Sequence, residues 1–371
     1  MEPLNNEFTN IFEEMEAVHL ALRDKLNSLT DKGNELEKRL SEELMPFEQW
    51  RFELMDRLGF LTTQFQNGDD LAHRKFICES KYFQAVQEAP FYYRIINKPN
   101  GYAGDAQMMD FIYRNQFEGK TPFGMFLHKH AVSTKACQAV RNRKLYLTQE
   151  IVKVNGGNIL SLAAGPAQEI RELLDVYRDD NSRFLALDHD METLKTYDVS
   201  DREPRFKYAL ANAFQIISGN YMTARPRKLM EQFCSPRKDF QGFRFVFSPF
   251  KYEMNYLQKE SFDLIYSSGL YDYIKTFPLD DSKGTVALTK NLFALLKPGG
   301  TLVVGNFSQS NPQDLKFVME YIYHWFLYHR DEQDILEFAR AIPEEDIENI
   351  QIVKESLGIN YFLKIEKKKP L

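Results

Sequence analysis

The sequence predicts an α/β protein, a mostly parallel sheet covered by helices on both faces and preceded by an all-helical N-terminal domain. Three observations predict it. Apolar residues recur at spacings of three and four through residues 7–60, the period of an amphipathic helix. After Gly156-Gly157, short apolar runs alternate with amphipathic stretches, as in βαβ units. The first such run leads into SLAAGPAQEI, Ser161 to Ile170, which reads as strand, tight turn and helix.

The N-terminal stripe is Ile11, Met15, Val18, Leu22, Leu26 and Leu29. Asp31-Lys32-Gly33 interrupts it, and Leu36, Leu40 and Leu44 resume. A helical hairpin packed on the body fits this pattern, and a dimerising coiled coil is the alternative. Further helices are expected to about residue 150, broken at the turn Asn97-Lys98-Pro99-Asn100-Gly101. The predicted organisation is therefore a helical or lid domain over 1–150 and a sheet domain over 151–371. Within the latter, strands are expected at 158–162, 183–187, 206–210, 262–266, 301–306 and 361–365. Helices are expected at 167–177, 191–197, 286–296 and 314–328. Residues 218–260, with the basic clusters Arg225-Pro226-Arg227-Lys228 and Ser235-Pro236-Arg237-Lys238, read as an insertion carrying a helix and an added strand near Phe245 to Phe247.

Composition narrows the function. The chain has 371 residues, 43% of them hydrophobic, with 30 Phe and 19 Tyr, so deep apolar pockets are expected. The net charge of −6 argues against a general nucleic-acid field, and no NPPY-type base-flipping motif occurs. Cys78, Cys137 and Cys234 form no CxxC pair, which argues against a disulfide framework and fits a cytoplasmic setting. His128 and His130 have no further ligand at metal spacing, so no metal is expected. The acidic start MEPLNNEFTNIFEEM lacks an apolar core, so neither a signal peptide nor a membrane span is expected.

Candidate ligand residues follow the strand ends. Ala163, Ala164, Gly165 and Ala167 are small enough for a ligand to approach the backbone, and Pro166 opens the next helix without wasting an N–H. A Walker loop is excluded because no Gly-Lys-Ser/Thr follows. Asp188 closes the second strand, where an acid can accept ribose hydroxyls; capping the helix that begins near Met191 is its plainer role. His189 and Asp190 read as turn residues beside it. Asn212 and Ala213 could meet an adenine edge, or Asn212 could cap a helix. Ser267 and Gly269 follow the FDLI strand, with Tyr271, Asp272 and Tyr273 at the crevice mouth. Arg141 or Arg143 could pair with a carboxylate.

The order of these elements, with FDLI and the KPGG turn (Lys297 to Gly300), resembles the class I S-adenosylmethionine-dependent methyltransferases over about Asn158 to Phe307. The resemblance implies a Rossmann-like core with a mostly parallel seven-stranded sheet and S-adenosyl-L-methionine as cofactor. The first loop departs from the family pattern: Ser161 stands for the usual acid, and Ala163 and Ala167 for two usual glycines. GYAGD (Gly101 to Asp105), Met109 to Tyr113, QAVRNR, SLAAGPAQE, GLYDYI and Asn306 to Arg330 further resemble a bacterial methyltransferase group that makes the methyl ester of 3-hydroxypalmitic acid, an extracellular signal. That resemblance implies methylation of a small-molecule or fatty-acyl carboxylate, which needs no general base. For an amine or hydroxyl acceptor, Asp105, His128, His130 and Tyr273 are the candidate bases. Tyr102 and Asp105 are expected in a lid, with Asp105 also placed to cap the helix after it. Tyr321, Tyr323, Trp325, Phe326 and Tyr328 form either a core face or an acyl wall. Two alternatives stand beside methyl transfer. One is cyclisation of the cofactor's aminobutyrate arm with release of methylthioadenosine; the other is a non-catalytic nucleotide sensor. A homodimer through the N-terminal helices is left open.

Overall fold

The computed structural model describes residues 4–66, 68–176, 181–226, 237–238, 245–246 and 251–370. Two compact units result: residues 1–138 with 310–326, and residues 139–309 with 327–371.

The first unit is helical. It contains α1 (Asn6–Asn27), α2 (Gly33–Thr62), α3 (Asp69–Glu79), α4 (Lys81–Ala85), α5 (Pro90–Asn97), α6 (Ala106–Arg114) and α7 (Pro122–Ser133). The division between units falls inside α8 (Lys135–Val154). Asn5 caps α1, its side chain accepting from the Phe8 N–H at 3.0 Å. The buried face of α1 is Phe8, Ile11, Phe12, Met15, His19 and Leu26, packed against α2, α4 and α7. This corrects the expected stripe: Val18 is exposed, and two phenylalanines and a histidine lie where aliphatics were counted.

The second unit is a sheet domain. Its elements run β1 (Asn158–Leu162), α9 (Gln168–Val176), β2 (Arg183–Asp188), α10 (Met191–Tyr197), β3 (Phe206–Leu210), α11 (Ala213–Ile217), β4 (Met222–Pro226), β5 (Arg237–Lys238), β6 (Phe245–Val246), β7 (Tyr252–Tyr256), β8 (Phe262–Ser267), α12 (Gly284–Phe293) and β9 (Leu296–Phe307). After a short α13 (Gln313–Phe317), which belongs to the first unit, come α14 (Glu332–Leu336), β10 (Ile347–Lys354) and β11 (Asn360–Lys367). Among the described residues the main sheet has nine strands in the order β10-β11-β9-β8-β1-β2-β3-β4-β7. The five from β3 to β9 are mutually parallel, and β11 runs antiparallel between β9 and β10. Runs such as Ile159 to Leu162 and Leu264 to Ser267 are buried at consecutive positions, the mark of strands covered on both faces.

Three expectations are corrected. The sheet exceeds seven strands because β4 and β7, within the 218–260 insertion, pair with each other and extend the β3 edge. Phe245–Val246 is a strand, but it pairs with Arg237–Lys238 in a separate two-stranded sheet. The helix expected within 218–260, and Arg227, Lys228, Ser235 and Pro236 of the two basic clusters, lie outside the described residues. The long helix at 314–328 is instead α13 followed by one π-helical turn, Val318–Ile322.

FDLI and KPGG meet at the amino ends of the strands. Asp263 accepts from the Asn158 N–H at 2.7 Å and from the Lys297 ammonium at 2.6 Å. Lys297 to Gly300 loop out between the pairs Phe262↔Leu296 and Leu264↔Thr301. These motif residues therefore fix strand register at the end of the sheet remote from the strands' carboxyl ends.

In the helical unit, α13 packs on α2 through backbone. A Cβ on Gly59 would stand 2.5 Å from the Gln313 carbonyl oxygen, closer than any real contact. Gly59→Ala is expected to destabilise the protein by about 1–3 kcal/mol, although alanine alone would favour the helix. Denaturant unfolding checks this; an unchanged midpoint would show that α13 can draw away from α2 freely.

Candidate functional site

The carboxyl ends of β1, β2, β3, β8 and β9 share one edge of the sheet, because their registers align Leu162 with Leu187, Asp188 with Leu210 and Ser267 with Val304. The loop from Ala163 to Ala167 crosses the end of β1. Three of its five residues are left-handed: Ala163 (φ +54°), Gly165 (φ +54°) and Ala167 (φ +47°). Alanines thus occupy backbone conformations that favour glycine, each costing about 1–2 kcal/mol. Small size was the reason expected for these alanines; the structure adds a conformational one. Pro166 is buried two residues before the first residue of α9, rather than inside that helix.

Asp188 holds this loop. It is 5% exposed, and its carboxylate accepts from the N–H groups of Gly165 (2.9 Å), His189 (2.7 Å) and Asp190 (3.2 Å). The His189 Nδ1 lies 3.1 Å away. Burial alone would raise the Asp188 pKa, but His189 and these N–H donors outweigh it, so the group is held below its ordinary value. From the other side, the Tyr208 hydroxyl donates to the Gly165 carbonyl at 2.6 Å, and the Ala164 N–H donates to Leu187 O at 3.0 Å. The cap of α10 is Asp190, not Asp188, which leaves Asp188 at the crevice.

Asn212 caps α11, its side chain accepting from the Phe214 N–H at 2.9 Å, and Ala213 opens that helix beside it. The Ser267 hydroxyl is buried and donates to Leu162 O at 2.9 Å, tying β8 to β1. Tyr273 ends a single 3-10 turn with its side chain 37% exposed. Arg141 is half-buried on α8. Two residues on, Arg143 is buried, and its Nη2 lies 3.4 Å from where a Cβ would stand on Gly269.

Around Arg143 are two buried carboxyls that the sequence did not single out as site residues. Glu169, in the first turn of α9, accepts from the Tyr266 hydroxyl at 2.6 Å, and burial raises its pKa. Asp272 is 2% exposed and accepts from the Phe307 N–H at 2.6 Å. Burial pushes its pKa up to about 6, against the opposing charges of Arg143 and Arg330. Arg330 is itself spent on Asn306 Oδ1 (2.6 Å) and on the carbonyls of Tyr271 and Ile274. GLYDYI was the available signal for Asp272, but only burial separates it from Tyr271 and Tyr273.

Tyr102 and Asp105 belong to the first unit. Gly101 is left-handed (φ +87°), and Tyr102 is half-buried. Asp105 is fully buried, caps α6 through the Met108 N–H (2.9 Å), and takes Arg94 Nε and Nη2 at 2.7 and 2.6 Å. A carboxylate clamped by an arginine fork anchors the loop before α6. His128 and His130 are core residues rather than available bases. His128 accepts from the Phe91 N–H, and burial lowers its pKa to about 4; the His130 Nε2 pairs with Glu48. Tyr321 and Tyr323 are likewise core residues of the helical unit, whereas Phe326 and Tyr328 are about half exposed.

No family model matches the sequence, and no curated protein matches it. Among solved structures, the chain is similar to a possible exported protein from Bordetella parapertussis, with a TM-score of 0.50 and 14% identity over 92% of this chain and 100% of that one. It is also similar to an S-adenosylmethionine-dependent methyltransferase from Mesorhizobium loti, with a TM-score of 0.37 and 13% identity over 60% and 97% of the two chains. A third is the 1,6-didemethyltoxoflavin-N1-methyltransferase of Burkholderia thailandensis, with a TM-score of 0.34 and 14% identity over 62% and 79%. At such identities the likeness is one of fold. The fold is a Rossmann-like α/β core: five parallel strands, with an antiparallel β11 between β9 and β10, and a helical region preceding them in the chain. No described helix is long and apolar enough to cross a membrane.

Two outcomes follow from this geometry. Ala163→Gly and Ala167→Gly should each raise stability by about 0.5 kcal/mol, since relief of left-handed strain exceeds the added chain entropy; denaturant midpoints test this. For Asp272, folded and unfolded states are both protonated below pH 3.8, and the stability present there is lost as pH rises through about 6. Asp272→Asn, which keeps an acceptor for Phe307, should therefore stabilise the protein at pH 8 by on the order of 2 kcal/mol and have little effect at pH 3.5. Equal effects at both pH values would mean that Asp272 is not held protonated by burial.

Proposed function

We propose that the chain is an S-adenosyl-L-methionine-dependent methyltransferase whose acceptor is a carboxylate on a small or fatty-acyl molecule. The observation that carries this reading is the Ala163 to Ala167 loop, left-handed at alternate residues and pinned to an ionised aspartate at the carboxyl ends of parallel strands. That is the position where doubly wound sheets take nucleotides.

The residues fit the cofactor. Ala163, Ala164 and Gly165 carry no side chain beyond Cβ, so a ligand can lie against the backbone there, with Pro166 behind. A carboxylate offers about four lone-pair positions, and three backbone donors already use Asp188. The His189 Nδ1, 3.1 Å away, takes a fourth, so a ribose hydroxyl would displace this partly exposed imidazole from Asp188. Asn212 and Ala213 border the adenine. Ser267 and Gly269 border the methionine end, and Arg143, with Arg141 on the same helix, would face its carboxylate. When bound, the cofactor supplies an electrophilic methyl group on a sulfonium. The chain's own task is to hold the acceptor in line and keep water out. A carboxylate acceptor arrives ionised, so no residue has to remove a proton. The 3-hydroxy fatty acid is the narrower substrate class suggested by the sequence resemblance.

The raised pKa of Asp272 favours a second reading, in which the nucleophile arrives protonated. A hydroxyl acceptor, or the cofactor's own amino group in a ring closure, would then lose its proton to Asp272.

Calorimetry with S-adenosylmethionine on the wild type and on Gly165→Val tests the cofactor. Binding is expected in the wild type and lost in the variant, and no wild-type binding would sink the reading. Turnover with a panel of carboxylates should then give S-adenosylhomocysteine and an ester, at a rate indifferent to Asp272→Asn between pH 5 and 8. Methylthioadenosine as product, or a rate that rises through about pH 6 and collapses in Asp272→Asn, would replace the first reading with the second.

A further inference from the structure

The helical unit buries a cation with no counter-ion in contact. Arg51, on α2, is 7% exposed, yet its one hydrogen bond is from Nη2 to the Tyr92 hydroxyl at 3.1 Å. Its Nε has no partner, and no carboxylate lies within ion-pair distance of it among the described residues. Three buried tyrosines surround it: Tyr82 on α4 (0% exposed), Tyr92 on α5 (1%) and Tyr323 beyond the π turn (8%). The rings of Tyr92 and Tyr323 stand edge to face at 5.3 Å. The Tyr82 hydroxyl makes no well-formed hydrogen bond.

No other charged or titratable neighbour makes contact with Arg51 among the described residues. Glu48 hydrogen-bonds His130, and its carboxylate acts on Arg51 only across space. Asp314, on α13, is within electrostatic reach but not in contact, and burial raises its pKa. His19 from α1 and His130 from α7 face the same region; burial lowers the pKa of both, that of His19 to about 3. A buried, unpaired guanidinium is expensive, and a ring of tyrosine hydroxyls does not supply the missing charge. It does supply the neutral donors that complete an oxyanion's coordination once a guanidinium fork has taken two of its oxygens.

We propose that Arg51, with the hydroxyls of Tyr82, Tyr92 and Tyr323, forms a binding site for a small-molecule oxyanion, a carboxylate or a phosphate, inside the helical unit. The site goes beyond the methyltransferase reading and needs no cofactor. Arg51 is its charge anchor, and Tyr82, whose hydroxyl is unspent, is its second donor.

Thermal unfolding of the full chain without S-adenosylmethionine tests the site. The probes are sodium octanoate and inorganic phosphate, each against sodium chloride at equal ionic strength, on the wild type, Arg51→Met, Arg51→Lys and Tyr82→Phe. One probe should raise the wild-type Tm by several degrees beyond chloride, and which probe does so separates a carboxylate ligand from a phosphate one. Arg51→Met should abolish the shift while leaving the probe-free protein at least as stable as wild type, because an uncompensated buried charge is removed. Arg51→Lys and Tyr82→Phe should fold and weaken binding about tenfold or more. The proposal is overturned if neither probe outperforms chloride, if Arg51→Met keeps the shift, or if Arg51→Met is strongly destabilised, which would make Arg51 a structural residue.

Discussion

The carboxylate of Asp188 is the fixed point of the sheet domain's working edge. It gathers N–H groups from its own strand end and from the loop after β1, so the crossover cannot open without leaving buried donors unsatisfied. The neighbouring strands join the same arrangement: Tyr208 of β3 braces the loop through Gly165, and Ser267 of β8 ties to Leu162. What keeps the Asp188 carboxylate ionised also keeps the loop in its left-handed path. An alteration that protonates or removes it acts on the whole edge.

That arrangement explains how a glycine-poor loop can persist. In isolation, left-handed alanines at 163 and 167 would relax. Here the hydrogen bonds to Asp188 and Leu187 on one side, and α9 on the other, over-determine the backbone and hold the strain in place. Strain of this kind collects where shape is needed for a ligand, which agrees with the loop's place at the strand ends. The opposite end of the sheet is built more simply, by the Asp263 ion pair and amide hydrogen bond that set register.

Much of the sheet domain was legible because its signals are local. β1, β3 and α10 have the boundaries expected, since buried parallel strands are short apolar runs and α10 begins at a strong cap. β10 was missed because IENIQIVK alternates weakly and is mostly exposed. The long helix after Asn311-Pro312 was overestimated because its aromatic spacing is helical, while the chain there is held by tertiary packing on α2 instead. The candidate site was legible where a strand ends in an acid or a small residue. It was illegible where the chemistry depends on burial. Nothing local distinguishes Asp272 from its neighbours, or Arg143 from Arg141, and Asp105 announces its cap but not the Arg94 fork that immobilises it. Arg51 sits in an ordinary charged helix, and only the fold deprives it of an ion-pair partner.

The helical unit is also discontinuous in the chain. Its last piece, Ser310–Phe326, arrives only after residues 139–309 have passed into the other unit, and α13 must then find the notch that Gly59 leaves on α2. During synthesis, the earlier helices emerge first and wait, with that notch open, until β9 has been made. Neither unit can be cut out as a single stretch of chain. A ribosome-bound fragment ending before residue 310 would expose the α2 face that α13 later covers, making that interval the time when the nascent protein is most in need of a chaperone.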